Sequence, residues 1–165
     1  ACEKGHAWRH AVDLFTSASS LRIEPSLVTF NAVISALEKG GEWPQALGFL
    51  DVLRSTTTTP DTVTYNATMS SLEKGGEWRR VFELLQDMRG SSMRMDVVTF
   101  GAAISACEKG KNWEAALILF NSMPDARVDA GIVTCNAMLS ALEKCGEWQQ
   151  VLLFLDSMLR NGIDW

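Results

Sequence analysis

The sequence repeats itself every 35 residues without a gap. Val-Thr followed by Phe, Tyr or Cys begins at Val28, Val63, Val98 and Val133, and tryptophan falls at Trp8, Trp43, Trp78, Trp113 and Trp148. A Glu-Lys pair precedes each tryptophan, at Glu3-Lys4, Glu38-Lys39, Glu73-Lys74, Glu108-Lys109 and Glu143-Lys144. Self-similarity at such a period marks a stacked repeat protein. A chain of this kind has no closed core, because each unit buries its apolar face only against its neighbours.

The unit 27–61 shows what is stacked. From Val28 to Lys39 the apolar residues Val33, Ile34 and Leu37 recur at helical spacing, with small Ala32 and Ala36 beside them. Gly40-Gly41 then breaks the helix, since glycine reaches φ > 0 without steric cost. A second helix is predicted from Trp43, with Pro44 suited to its first turn and Ala46, Leu47, Phe49, Leu50 and Leu53 as its apolar residues. The run Ser55 to Asp61 ends it, and Asp61 or Thr62 is placed to cap the next helix. Each unit is therefore two antiparallel helices and a short link. The same turn is expected at Gly75-Gly76, at Gly110-Lys111 and at Cys145-Gly146; Met88, Met123 and Met158 repeat the position of Leu53. The chain divides into a partial repeat at 1–26, repeats at 27–61 and 62–96, a degenerate repeat at 97–131 and an incomplete last repeat at 132–165. That makes roughly nine helices and a stub, and the opening inside a repeat leads us to expect a segment of a longer protein.

Composition narrows function rather than fold. The net charge of −5 and pI near 5.0 argue against a uniformly phosphate-binding surface and leave the local charge distribution to decide. No run approaches the ~18 apolar residues of a membrane span. The four cysteines, Cys2, Cys107, Cys135 and Cys145, form no C-x-x-C pair, and only His6 and His10 could join them at a metal. They read as small apolar core residues. No Ser/His/Asp or Cys/His constellation, no deaminase zinc signature and no phosphate-binding glycine loop is present, so no catalytic role and no cofactor is expected. The tryptophan column reads as bulky wedges between successive hairpins, the alternative being a base-stacking ladder. The Glu-Lys pairs read, on the residues alone, as solvated hairpin ends.

A 35-residue helix-turn-helix unit whose first helix opens V-T-(F/Y)-N resembles the pentatricopeptide repeat. The second-helix runs A-L-G-F-L-D-V-L, F-E-L-L-Q-D-M and A-L-I-L-F-N-S-M, each followed by a link ending near aspartate, carry the same likeness over essentially the whole chain. The E-K-G-x-x-W turn resembles algal members and favours an organelle, plastid or mitochondrion, with the targeting segment outside this chain. The resemblance implies an all-α fold, an α-solenoid of 35-residue antiparallel helix-turn-helix repeats stacked into a right-handed superhelix. It also implies single-stranded RNA as partner, one base per repeat. The implied base readers are Asn31 with Asp61, Asn66 with Asp96, and Asn136. The implied base sandwich is Val28, Val63, Val98 and Val133, and the implied phosphate contacts are Lys39, Lys74, Lys109 and Lys144. In the family an Asn/Asp pair favours uridine, so repeats 27–61 and 62–96 would each read U.

The departures limit this. Repeat 97–131 has Gly101 and Gly131 at the two reader positions, and its link from Pro124 to Gly131 has drifted. The last repeat carries Asn136 but ends before its partner, and Ser26 stands without its first-helix mate. Stacking contributes on the order of 1–3 kcal/mol per base. Two complete readers thus supply roughly 2–6 kcal/mol before an association cost of at least ~4 kcal/mol, so this segment alone should bind weakly. Asn and Asp are also good cap and turn formers. A second function follows from the acidic charge and the blank repeat: a helical scaffold for protein subunits of a large organellar assembly.

Overall fold

The computed structural model describes residues 7–20 and 25–160. The expectations for Cys2, for Glu3-Lys4, for His6 and for the tail after Arg160 lie outside them. The described residues form helices α1 (Ala7–Ser20), α2 (Leu27–Gly40), α3 (Trp43–Ser55), α4 (Thr62–Gly75), α5 (Trp78–Gly90), α6 (Val97–Lys109), α7 (Trp113–Ser122), α8 (Ile132–Cys145) and α9 (Trp148–Arg160). Helices α2/α3, α4/α5, α6/α7 and α8/α9 are antiparallel hairpins, and the architecture is an α-solenoid.

The even-numbered helices α2, α4, α6 and α8 pack directly on one another and form a continuous layer. The odd-numbered helices sit on that layer and reach each other through long side chains: Arg54 of α3 to Asp87 of α5, and Phe120 of α7 edge-on to Phe154 of α9 at 4.9 Å. Tighter spacing in the even layer makes it the concave side of the stack. Its helices carry small residues at their contacts, Ala67, Ala102, Ala103, Ala106, Ala137 and Ala141, all buried, which lets backbones approach closely. The longer Leu53, Met88, Met123 and Met158 are buried at equivalent points of the outer layer.

Start and stop signals are local. Asp61 and Asp96 cap α4 and α6 by accepting the N–H of Thr64 and Thr99, at 2.8 and 2.9 Å. At the other end Gly41, Gly76 and Gly146 take φ of 74°, 69° and 77°, and the next N–H returns to the carbonyl of Leu37, Leu72 or Leu142. The turn after α6 departs from the expected glycine there. Gly110 keeps φ −76° and Lys111 takes the left-handed place at φ 53°. Helix α7 also stops early, at Ser122: Met123 still holds helical angles, φ −60° and ψ −45°, but Pro124 has no N–H with which to extend the ladder to Phe120.

Candidate nucleic-acid interface

Asn31 lies in the second turn of α2 and Asp61 is the N-cap of α4, so the stacking of α4 on α2 brings them together across thirty residues of sequence. Asn31 Nδ2 donates to Asp61 Oδ1 at 3.3 Å. The same contact recurs one repeat on, Asn66 Nδ2 to Asp96 Oδ1 at 3.1 Å. Asp61 and Asp96 therefore both cap a helix and hold an asparagine; the cap and the pair are two uses of one carboxylate.

A buried threonine, which the sequence reading left unassigned, completes each network. The Thr64 hydroxyl lies 2.6 Å from Asn31 Oδ1 and 2.8 Å from Asp61 Oδ1, and accepts the Asp61 N–H at 3.3 Å. Thr99 does the same with Asn66 and Asp96, at 2.7, 2.9 and 3.1 Å. The signal was present as the Thr of every V-T-(F/Y/C), at Thr29, Thr64, Thr99 and Thr134. Burial by itself would raise the two carboxyls, but the N–H and hydroxyl of Thr64 or Thr99 and the asparagine amide hold both below the ordinary aspartate value. Both are ionised at neutral pH.

One turn before each asparagine, Val28 and Val63 are 77% and 59% exposed, and Val98 and Val133 continue the column at 53% and 76%. A valine three residues from a half-exposed asparagine shares its helix face, so apolar surface and polar pair sit side by side on the concave layer. In repeat 97–131 the valine is kept and the pair is missing: with Gly101 and Gly131 in place, the Thr134 hydroxyl turns back to the Gly131 carbonyl at 2.9 Å. Asn136 is exposed and borders an apolar hollow with Leu139, Trp148 and Leu152.

The lysines have protein partners. Lys74 reaches the Glu38 carbonyl at 2.6 Å and its carboxylate at 3.6 Å, Lys109 pairs with Glu73 at 2.9 Å, and Lys144 with Glu108 at 2.6 Å. Each lysine thus joins the glutamate of the preceding repeat, and the Glu-Lys dipeptides form a ladder along the stack rather than independent solvated ends. Burial would raise Glu108, but Lys144, Ser140 and Lys109 hold it low. Lys39 is exposed, and the corresponding Glu3 lies outside the described residues.

The tryptophans pack at the ends of the even helices. An added Cβ at Gly40, Gly75 or Gly110 would stand 2.5, 2.6 or 2.2 Å from the indole Cδ1 of Trp8, Trp43 or Trp78. Each indole therefore fills the space left by a glycine of the next hairpin, as a wedge does. Trp148 is 66% exposed. Cys107 and Cys135 are buried, the thiol of Cys107 pushed up to about 12 by burial, while Cys145 is half-buried. Among the described residues no helix is long and apolar enough to cross a membrane, and no group of three His, Cys, Asp or Glu is placed to hold a metal ion.

Comparison with known proteins follows the same outline. The model of the PPR repeat family matches residues 60–109, that of the PPR repeat matches 98–128 and 133–163, and that of the pentatricopeptide repeat domain matches 13–74. No curated protein sequence matches the chain. Among solved structures it superposes on the PPR domain of Arabidopsis thaliana protein-only RNase P 1, crystallised in complex with tRNA, with a TM-score of 0.81 at 12% identity, covering 99% of this chain and 86% of that one. It superposes on nuclear proteinaceous RNase P 2 of A. thaliana with a TM-score of 0.80 at 14% identity, covering 95% of this chain and 36% of that one. The maize pentatricopeptide repeat protein PPR10 in complex with an 18-nt psaJ RNA element gives a TM-score of 0.60 at 19% identity, covering 96% of this chain and 28% of that one. At these identities the likeness is one of fold, and the chain spans about a third of the second protein and a quarter of the third. With the 35-residue period, the stacked hairpins and family models that together run from residue 13 to residue 163, the chain belongs to the pentatricopeptide repeat family.

Proposed function

We propose that this chain binds single-stranded RNA along its even-helix layer, and that repeats 27–61 and 62–96 each read one uridine. The observation that carries the reading is the twice-built pair: Asn31 on Asp61 and Asn66 on Asp96, each beside an exposed valine. Exposed valine offers a flat apolar contact to a base face, and an amide next to an ionised carboxylate offers a donor and an acceptor to its edge. The solved relatives crystallised with tRNA and with a psaJ RNA element support a nucleic-acid role for this fold. Repeat 97–131 accepts a base without reading it.

Phosphate contact by Lys74, Lys109 and Lys144 then requires each ammonium to share or leave its glutamate. Exposed pairs of this kind are weak, ~0–1 kcal/mol, so a phosphate can compete. The ladder does reduce the free positive charge of the groove, and this favours a second reading in which the layer holds an acidic-tolerant protein partner instead.

The test is a titration of the chain with heptanucleotides that differ only at two adjacent central positions, UU or CC, followed by NMR chemical shifts at low and moderate salt. Shifts confined to the even layer, stronger for UU and weakened by salt, are expected. Shifts absent at millimolar RNA would overturn RNA reading and leave the scaffold.

A further inference from the structure

Thr64 and Thr99 come from the hairpin after the asparagine they touch, so each candidate base site is completed by its neighbour. The capping function of this threonine and its contact with the asparagine are separable within the molecule. Thr134 accepts the Gly131 N–H at 3.1 Å and donates to the Gly131 carbonyl at 2.9 Å, with no asparagine present. Where an asparagine is present, the short contact goes to its amide oxygen instead, at 2.6 and 2.7 Å. We propose that Thr64 and Thr99 are positioning residues that fix the orientation of the reading amides and thereby set which base is accepted; this rests on the RNA reading above.

The orientation follows from donor and acceptor chemistry. An ionised carboxylate only accepts, so Asp61 and Asp96 must face the amide nitrogen. The amide oxygen is then turned away from them, and the threonine hydroxyl donates to it. With both ends held, one N–H of Asn31 remains for a ligand. Asp61 takes its bonds from the Thr64 N–H and from Asn31 on Oδ1, which leaves Oδ2; Asp96 Oδ2 carries only a long branch at 3.4 Å from Asn66. Each site therefore presents one fixed donor next to one fixed acceptor. Uracil carries the complement side by side, a carbonyl oxygen and the imide N–H. An amide released from its threonine can turn its oxygen toward the ligand and accept from the amino group of cytosine. Loss of the hydroxyl should thus erode selectivity more than stability.

The experiment compares the UU and CC heptanucleotides on wild-type chain, T64V/T99V, T64S/T99S and T134V. Valine keeps the shape of threonine and removes the hydroxyl; serine restores it. The wild type should prefer UU, the T64V/T99V preference should fall at least about threefold, T64S/T99S should regain it, and T134V should keep it despite losing its cap bond. A folded T64V/T99V with the wild-type ratio, or a T134V ratio that falls equally, overturns the positioning role while the RNA reading stands. A wild type that binds UU and CC alike overturns the base reading and the threonine role with it. If T64V/T99V does not fold, T99V alone is measured with oligonucleotides varied at one position, and an unchanged ratio is equally decisive.

Discussion

Ser71 Oγ is buried on α4 without a hydrogen-bond partner, at the position where α2, α6 and α8 carry Ala36, Ala106 and Ala141. An unsatisfied buried hydroxyl costs ~1–3 kcal/mol, so Ser71→Ala should stabilise the chain by ~1 kcal/mol or more. Urea denaturation checks this, and a lower midpoint at unchanged slope would count against it. Lys111 is a second residue out of keeping with its repeat. It holds φ 53° where Gly41, Gly76 and Gly146 hold comparable values, and a side chain there costs roughly 1–2 kcal/mol. Lys111→Gly should raise stability by ~1 kcal/mol, measured the same way; no gain would mean that Lys111 makes a compensating contact. The sequence shows a glycine at this turn but not which of two jobs it does. One position, Gly40, Gly75 and Gly110, leaves room for an indole; the next, Gly41, Gly76 and Gly146, takes the left-handed φ. The turn after α6 keeps the first glycine and lacks the second, a distinction that depends on the Trp78 ring arriving from another hairpin.

The stack is held at the scale of helices by those indoles. Trp78 reaches Gly110 of the next hairpin and lies edge-on to Phe82 at 6.1 Å. Trp78→Ala should cost ~3–5 kcal/mol, and a loss below ~1 kcal/mol would refute the wedge. The partner surface makes a sharper test. A Cβ at Gly110 would sit 2.2 Å from Trp78 Cδ1 and 3.1 Å from the Gly76 carbonyl, so Gly110→Ala should destabilise by ~1–3 kcal/mol through overpacking, although alanine is the better helix former. In W78A the same substitution should cost much less, and thermal melts of the two singles and the double give the coupling. Helix existence, order and hairpin pairing were legible from apolar spacing, because period 3.6 and a 35-residue repeat are properties of one chain. The end of α7 at Ser122 was legible too, in Pro124, though read only as a drifted link. The Glu-Lys ladder was not, since a glutamate at position 73 meets a lysine at position 109 only after α6 stacks on α4.

For the whole molecule, pairing across hairpins decides what the concave layer can do. The grouping of Asn31 with Asp61 came from a resemblance, and the stacking supplies its physical cause: an N-cap of one even helix is delivered to the second turn of the previous one. The threonine was missed because a Thr in V-T-Y-N is equally at home as a first-turn residue bonded to the helix cap, and its reach to Asn31 appears only across the interface. The same geometry explains why repeat 97–131 is blank without being damaged. Thr134 is buried and in place, Val98 is exposed, and a Cβ at Gly101 or Gly131 would meet nothing within 4 Å. Gly101→Asn with Gly131→Asp should therefore rebuild the pair on an unchanged backbone. Gly131→Asp adds a cap interaction of ~0.5–1 kcal/mol, and Gly101→Asn replaces a helix-interior glycine with a better helix former. Stability should rise slightly or hold, and preference for uridine at a third consecutive base should appear, which a UUU against UUC comparison reads directly. Either single variant should fail to confer it, because an amide without its carboxylate is not oriented and a carboxylate without its amide offers no donor. If the double variant folds and still ignores the third base, the base-reading unit contains more than the two side chains and the threonine that holds them.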